Sequence, residues 1–190
     1  TRGVGGEYFA ISVDEIVERY TTAIEQTLGR KLTWQHDDIA LQNIQARTRS
    51  PSVWMLTNIR NSLLLSTSNR SEAAVGYATM DGDTSGGLSP IAGIDKAFLR
   101  EWLRIFEKHG SAGVKPLAEL QLVNAQQPTA ELRPSEYEQT DEGDLMPYPL
   151  LDHIERLAIR DKLSPAEIME TLKREHPEYE ADQLTIWVRR

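Results

Sequence analysis

Apolar residues in the N-terminal part of the chain recur mostly at the spacing of an amphipathic helix. Residues 8–12 predict a short strand, and a helix follows directly, with Ser12 and Glu15 at the spacing of a capping box. We expect Gly29 to end this helix, because glycine readily adopts the left-handed conformation found after helix C-termini.

Further along the chain the helical spacing gives way to a continuous apolar run. A second helix is expected after Asp38 and should end before Pro51, because proline lacks a backbone donor, and residues 53–59 predict another helical stretch. Residues 62–69, SLLLSTSN, predict a strand buried on both faces of a parallel sheet. The order strand, helices, strand indicates an α/β fold, in which ligands bind beyond the carboxyl ends of strands.

A short helix and a strongly amphipathic one are predicted next. Ser71 is the expected cap of the short helix, and Asp95 is the expected cap of a helix that ends at Gly110. Five residues of the second helix are expected to face inward: Phe98, Leu99, Trp102, Leu103 and Phe106.

The C-terminal part of the chain divides into an irregular and a helical segment. Residues 111–149 show little periodicity, and a long irregular connection of this kind is usually functional or mobile. Residues 150–190 predict three helices, the second of which opens with a capping box at Ser164 and Glu167.

Composition narrows the class of protein. The chain has 190 residues, a net charge of −8 and no cysteine, which disfavours nucleic acid as a partner and excludes thiolate chemistry. Neither a secretory leader nor an apolar run of about 20 residues is recognisable. We therefore expect one cytoplasmic domain over 1–190, with an α/β core over 1–110, that does not bind membranes.

The string Ser85-Gly86-Gly87-Leu88 contains the residue types of a phosphate-binding turn. Such a turn should follow a buried strand and open a helix, so that backbone amides face the anion. The preceding residues, 80–84, do not resemble a strand, and Ser89-Pro90 does not open a helix with free amides. We interpret the string as a flexible surface loop.

Several motifs nevertheless occur in an order that resembles the NAD⁺ synthetases, particularly the large glutamine-dependent kind. Residues 62–91 resemble the family's signature, with an apolar strand, Ser-Glu, AVGY, and GD followed by SGGL. The string QNIQARTR (42–49) resembles its Asn-x-x-x-Ala-Arg helix. Residues 128–134, 139–145 and 147–148 resemble a later segment of the family.

The resemblance implies a fold and a reaction. The fold would be a Rossmann-like parallel sheet flanked by helices, of the adenine nucleotide alpha hydrolase type, with a helical C-terminal part. The family uses ATP and Mg²⁺ to adenylate the nicotinate carboxylate of deamido-NAD⁺, and ammonia then displaces AMP. In glutamine-dependent members a separate glutaminase domain supplies the ammonia, and members form homodimers.

The resemblance also implies site residues. Deamido-NAD⁺ would contact Asn43, Arg47, Glu72 and Asp83; ATP would contact Thr67, Lys96 and Thr129; and Glu72 would also bind Mg²⁺. Because residues two apart point to different sides of a helix, the sequence leaves open whether Arg47 or Arg49 faces the site.

Departures from the family pattern limit what is expected of this chain. The family's Ser-Gly-Gly-x-Asp-Ser pyrophosphate loop and its glutaminase domain are not in the sequence, so we expect part of a synthetase domain that is inactive alone. Another pyrophosphate-loop adenylating ligase and a non-catalytic dimerisation module remain alternatives.

Some candidate residues also have ordinary interpretations. Glu72 could simply complement a helix dipole. Acids such as Asp141 are expected to be solvated loop residues, and no role is predicted for the four histidines.

Overall fold

The computed structural model describes the backbone of residues 1–190 and every side chain except those of Arg2 and Ser135. The chain forms two compact units, each assembled from separate segments. Unit 1 comprises Thr1–Ser68, Gly76–Gly93 and Glu131–Gln139, and unit 2 comprises Asn69–Val75, Ile94–Ala130 and Thr140–Arg190. The single domain expected over 1–190 stays a prediction.

Helices dominate both units. Unit 1 contains α1 (Asp14–Leu28) and α2 (Trp34–Ile59). The helices of unit 2 are α3 (Arg70–Ala74), α4 (Lys96–His109), α5 (Gln121–Asn124), α6 (Asp141–Asp144), α7 (Tyr148–Glu155), α8 (Pro165–Glu175) and α9 (Ala181–Val188). Across the described residues, none of the helices combines the length and apolar content needed to cross a bilayer.

The predicted parallel sheet is absent from the described residues. Pairing of the β type is limited to two isolated bridges, a parallel one between Leu65 and Leu88 and an antiparallel one between Ser111 and Val114. A strand buried on both faces needs continuous neighbours, but Leu63 and Leu65 are 64% and 48% exposed. The Rossmann-like α/β prediction is therefore wrong for this structure, and the strands expected at 8–12 and 62–69 do not form.

The predicted helices of unit 1 form where they were expected, but some of their ends differ from the prediction. Helix α1 ends at Gly29 as expected, but its N-cap is Val13, and the Ser12 hydroxyl donates to the Asp14 carboxylate. Helix α2 begins earlier than expected and runs through Pro51.

The apolar core of unit 2 is formed mainly by its C-terminal helices. The capping box of Ser164 and Glu167 opens α8 as predicted. Eight buried side chains from α7, α8, α9 and the adjoining segments pack together: Met146, Tyr148, Leu150, Leu151, Leu157, Ile168, Leu172 and Leu184.

Helix α4 lies less deeply in unit 2 than its sequence predicts. Phe98 is 61% exposed and Trp102 39% exposed, so the expectation that both face inward is wrong. Trp102 stacks on Phe106 of the next turn, with ring centroids 5.1 Å apart. Part of the aromatic face of the helix is therefore covered by its own neighbour rather than by a core.

The N-terminus of α4 is capped by residues distant in sequence. Asp95 occupies the N-cap position but makes no capping hydrogen bond with its side chain. Instead the Lys96 amide donates to the Ser71 hydroxyl at 2.8 Å, and the Ala97 amide donates to Asp152 Oδ2 at 3.0 Å. Ser71 in turn donates to the other oxygen of Asp152. Ser71 thus caps α4 rather than α3, whose cap is Asn69.

Replacing Asp152 by alanine should lower the free energy of unfolding by about 1–3 kcal/mol, because a buried amide and hydroxyl lose their acceptor. Urea denaturation of the purified chain measures this change. Asp161→Ala is the matched control, because this exposed acid pairs with its neighbour Arg160, and its loss should cost less than about 0.5 kcal/mol. Equal losses in the two variants would contradict the capping role.

Two histidines connect α7 to the segment after α8. His153 Nδ1 and His176 Nε2 lie 2.9 Å apart, and His153 Nε2 lies 3.6 Å from Glu175. Burial is the main factor that lowers the pKa of His153; charges on His176 and Arg156 add to it, and those on Glu175 and Asp161 oppose it.

Because the pKa of His153 is lowered in the folded state, the neutral form is favoured by folding, and the associated stability is lost as pH falls below about 6.5. Urea unfolding between pH 7.5 and 5.5 should show decreasing stability in wild type and a flatter profile in His153→Gln. His109→Gln, which removes an exposed histidine of α4, should keep the wild-type profile. An unchanged profile in His153→Gln would refute this account.

Candidate functional site

Three of the predicted deamido-NAD⁺ residues lie together in unit 1, around the loop 79–85. The Thr79 hydroxyl donates to Asn43 Oδ1 at 3.1 Å, and Arg47 Nε donates to the Met80 carbonyl at 3.1 Å. Asp83 Oδ2 accepts the Thr79 amide at 2.8 Å. The structure therefore brings Asn43, Arg47 and Asp83 into one hydrogen-bonded cluster.

The loop 79–85 is held along one face of α2. Ser50 Oγ donates to the Asp81 carbonyl at 2.5 Å, and Trp54 Nε1 donates to Ser85 Oγ at 2.6 Å. A Cβ at Gly82 would lie 3.0 Å from the carbonyl carbon of Ala46, so this close approach favours glycine. Since Ser50 and Trp54 flank Pro51, these bonds help explain why the helix continues through the proline.

The Ser85-Gly86-Gly87-Leu88 string packs backbone against backbone. The Gly87 amide donates to the Leu64 carbonyl and the Ser66 amide to the Leu88 carbonyl, both at 2.8 Å. A Cβ at Gly86 would lie 2.6 Å from the Ser66 nitrogen. A turn rather than a helix follows at 90–93. The glycines thus serve close packing, and the string is bonded in place rather than being the flexible loop that we expected.

The two arginines left open by the sequence face different surroundings in unit 1. Arg47 reaches the loop 79–85, whereas Arg49 Nη2 donates to the Glu131 carbonyl at 2.8 Å. Arg49 also lines an open groove of about 870 Å³, together with residues 8–14, Gln45, Glu131, Arg133 and Pro134. Thr67, the predicted ATP residue of this unit, is exposed.

In unit 2 the predicted residues Glu72 and Lys96 form an ion pair. Glu72 Oε1 lies 2.7 Å from Lys96 Nζ, and both side chains are largely shielded, at 15% and 20% exposure. Glu72 also completes a capping box with Asn69 at the start of α3. The ordinary helix-start role of Glu72 and a direct contact with Lys96, the lysine predicted to bind ATP, are therefore both present.

Asp141 and Tyr148 complete this cluster, although the sequence assigned no role to either. Tyr148 Oη donates to Asp141 Oδ2 at 2.7 Å, and Lys96 Nζ lies 4.0 Å from the same oxygen. The ammonium also lies 5.6 Å from the centre of the Tyr148 ring. The available signal was the pair of motifs 139–145 and 147–148, which contain an acid and a tyrosine within the irregular segment 111–149.

Asp141 is only 4% exposed, so the expectation of a solvated loop acid is wrong. Burial raises the pKa of its carboxyl group, and the hydrogen bond from Tyr148 and the charge of Lys96 oppose this rise. Its Oδ1 is buried without a hydrogen-bond partner among the described residues. The amide of Asp141 donates to the Pro128 carbonyl at 3.0 Å. Pro128, the residue immediately before Thr129, is therefore hydrogen-bonded to this cluster.

Unit 2 contains two groups of carboxylates with oxygen atoms of the kind that bind cations. Oxygens of Asp95, Asp152 and Glu155 lie within 4.8 Å of one another, but Arg70 pairs with Asp95 and Glu155, so a cation already occupies that position. Glu72 offers oxygen ligands of the kind that Mg²⁺ prefers, beside the unpartnered buried oxygen of Asp141. Glu72 Oε1 is likewise bonded to Lys96, so a carboxylate of the type that suits magnesium is present, but a metal there would have to displace the lysine.

Comparison with known proteins places this chain in a family. A family model described as NAD synthase matches residues 2–189. The chain is 37% identical over 168 residues to the glutamine-dependent NAD(+) synthetase of Aquifex aeolicus (strain VF5), and 35% identical over 167 residues to that of Thermotoga maritima. Each alignment covers 88% of this chain and 27% of the relative.

A solved structure gives the same result. The crystal structure of a glutamine-dependent NAD(+) synthetase from Cytophaga hutchinsonii matches with a TM-score of 0.78 and 45% identity, covering 98% of this chain and 28% of that one. This chain therefore spans little more than a quarter of the length of the proteins it matches. With a family model that extends over nearly all of its residues, the chain belongs to the NAD synthase family.

Proposed function

We propose that the chain is part of a cytoplasmic glutamine-dependent NAD⁺ synthetase and provides contacts to deamido-NAD⁺ and ATP. Family membership supports the reaction class, and the two clusters described above support the roles of individual residues. The observation that carries the proposal is that Asn43, Arg47 and Asp83, each predicted from the sequence, meet around one loop.

The cluster in unit 1 would hold deamido-NAD⁺. Arg47 is exposed and donates its Nε–H to the Met80 carbonyl, which would leave its Nη donors for a ligand. A guanidinium binds carboxylate or phosphate oxygens through two parallel hydrogen bonds, which suits a dinucleotide that carries both groups. Asn43 and Asp83 would add neutral and anionic hydrogen-bonding groups beside it.

The cluster in unit 2 would hold the phosphates of ATP. The backbone amides at the start of α4 are bonded to Ser71 and Asp152, so the phosphate contact would come from the Lys96 ammonium and not from the helix terminus. Thr129 would donate its hydroxyl hydrogen to the nucleotide; Thr67, which belongs to unit 1, is the other residue that the family resemblance assigns to ATP. Glu72 would hold Mg²⁺, which when bound neutralises phosphate charge.

The reaction proceeds in two transfers. A carboxylate oxygen of deamido-NAD⁺ attacks the α-phosphorus of ATP, and pyrophosphate leaves. Ammonia then attacks the activated carbonyl carbon, loses a proton, and AMP leaves with the former carboxylate oxygen. Arg47 would orient the carboxylate before the first attack, and Lys96 would stabilise the negative charge on the departing phosphates.

We expect the 190-residue chain alone to bind deamido-NAD⁺ without converting it. Calorimetric titration should show saturable binding, and Arg47→Ala should weaken it roughly tenfold to a hundredfold, as the loss of charged hydrogen bonds does. Arg49→Ala is the matched control, because the same charge is lost two residues away on the groove side, and it should change affinity by less than about threefold.

Three results would contradict this assignment. Absence of binding at millimolar deamido-NAD⁺ would mean that unit 1 holds no acceptor site in this chain. A larger loss in Arg49→Ala than in Arg47→Ala would move the site to the groove. Preference for a different carboxylic acid over deamido-NAD⁺ would favour another adenylating ligase.

We further propose that two copies of the chain associate through α1. No residue of α1 is buried, and Ile16, Tyr20, Ile24 and Leu28 form a stripe in which each side chain is 42–54% exposed. A stripe with four-residue spacing is the pattern by which one helix packs against another. A second copy presents the same stripe, so the contact can be closed by a twofold axis.

Substituting Ile24 with aspartate should shift the chain from dimer to monomer, because a charge would be buried in an apolar contact. Light scattering coupled to size exclusion at micromolar concentration measures the mass. Thr22→Asp adds the same charge on the opposite side of α1 and should leave the dimer intact. A monomeric wild-type chain would disprove the association.

A further inference from the structure

The cluster around Lys96 contains one carboxylate that the proposed reaction does not use. Lys96 Nζ bonds Glu72 at 2.7 Å and lies 4.0 Å from Asp141 Oδ2. The proposed function gives Lys96 and Glu72 separate ligands, phosphate oxygens and Mg²⁺. Engagement of Glu72 by a cation would therefore break the ion pair that now positions the lysine.

Asp141 is placed to take over that position. Its carboxylate is fixed by the hydrogen bond from Tyr148 Oη at 2.7 Å, and its backbone by the bond to the Pro128 carbonyl at 3.0 Å. Lys96 carries its ammonium on a flexible four-carbon stem. A movement of about 1 Å toward Asp141 would bring Nζ within ordinary hydrogen-bond distance, 2.7–3.2 Å.

The hydrogen-bonding capacity of Asp141 is not filled. Its Oδ1 is buried and lacks a partner among the described residues, and a lysine ammonium has three donors. A buried carboxylate is costly unless ion pairing and hydrogen bonds compensate for its burial, so Asp141 gains when the ammonium, now 4.0 Å from Oδ2, comes closer. The ring of Tyr148, 5.6 Å from Nζ, offers a further contact on the same side.

We propose that Asp141 is a positioning residue that holds the Lys96 ammonium in place when Glu72 is engaged elsewhere. The pair Lys96–Glu72 is then the arrangement without ligand, and the pair Lys96–Asp141 is the arrangement in which Glu72 is available to a metal. The functional meaning rests on the proposed ATP role of Lys96, but the exchange of partners is a property of these side chains alone.

The test measures the coupling between Lys96 and Asp141 with and without the Glu72 charge. Unfolding equilibrium constants of the 190-residue chain are determined for Lys96→Met, Asp141→Asn and the double variant, first with Glu72 and then in a Glu72→Gln background. Glutamine still accepts a hydrogen bond in a capping box, so α3 is retained. Asparagine at 141 still accepts from Tyr148, so only the charge is removed.

Neutralising Glu72 should strengthen the coupling between Lys96 and Asp141. We expect the coupling factor, expressed as a ratio of unfolding equilibrium constants, to rise roughly tenfold, as it does for residues that come into direct contact. Asp144→Asn is the matched control, an acid of the same helix α6, and its coupling to Lys96 should not change with Glu72. Coupling between Lys96 and Asp141 that stays equal or falls in the Glu72→Gln background would overturn the proposal.

A second measurement reads position directly. In ¹⁵N-lysine spectra of Glu72→Gln, the Lys96 ammonium signal should stay protected from exchange with water. The signal should vanish when Asp141→Asn is added to Glu72→Gln, and it should be present when Asp141→Glu is added instead. Loss of the signal in Glu72→Gln alone would also overturn the proposal.

Should Glu72→Gln unfold the chain, Glu72→Asp replaces it, because the shorter side chain withdraws the carboxylate from Lys96. The expected outcomes are the same. None of these readouts uses ATP or deamido-NAD⁺, so failure of the proposed function would be seen separately in the ligand titration.

Discussion

Hydrogen bonds from the side chains of α2 to the loop 79–85 organise unit 1. Arg47, Ser50 and Trp54 each donate to this loop, two of them to backbone carbonyls. Apolar burial contributes less, since Leu41, Ala46 and Leu132 are the hydrophobic residues of this unit that are buried among those described. Because the same helix face carries Asn43 and Arg47, the bonds that hold the loop also determine where the proposed ligand contacts lie.

Unit 2 is organised differently from unit 1, because a packed apolar core supports its charged groups. Tyr148 belongs to both, because its ring is part of the core and its hydroxyl donates to Asp141. Asp152 likewise joins core helix α7 to the Ala97 amide in the first turn of α4. Buried carboxylates of this kind are stable only when donors or cations surround them. The positions of Lys96 and Ser71 therefore follow from the core as much as from their own helices.

The sequence predicted helices better than the sheet, for a physical reason. A helix satisfies its backbone within one segment, so spacing and caps located α1, α4 and α8. A strand depends on a partner, and the apolar run 62–69 finds only the short pairing of Leu65 with Leu88 among the described residues. The continuation of α2 through Pro51 was missed for a related reason, because distant contacts at Ser50 and Trp54 override a local preference.

The candidate site residues likewise differ in whether a nearby sequence motif or distant contacts determine their positions. Asn43, Arg47, Glu72, Asp83 and Lys96 were found by motif resemblance, and periodicity alone would have left each of them as an ordinary polar residue. Asp141 was missed because burial is decided by the core beneath it, and no local pattern distinguishes it from its solvated neighbours in α6. A buried acid costs stability unless it is compensated, and here compensation comes from Tyr148 and Lys96, far apart in sequence. The compensation reaches one side of the carboxylate only, since Tyr148 and Lys96 both lie at Oδ2 and the described residues supply no donor to Oδ1.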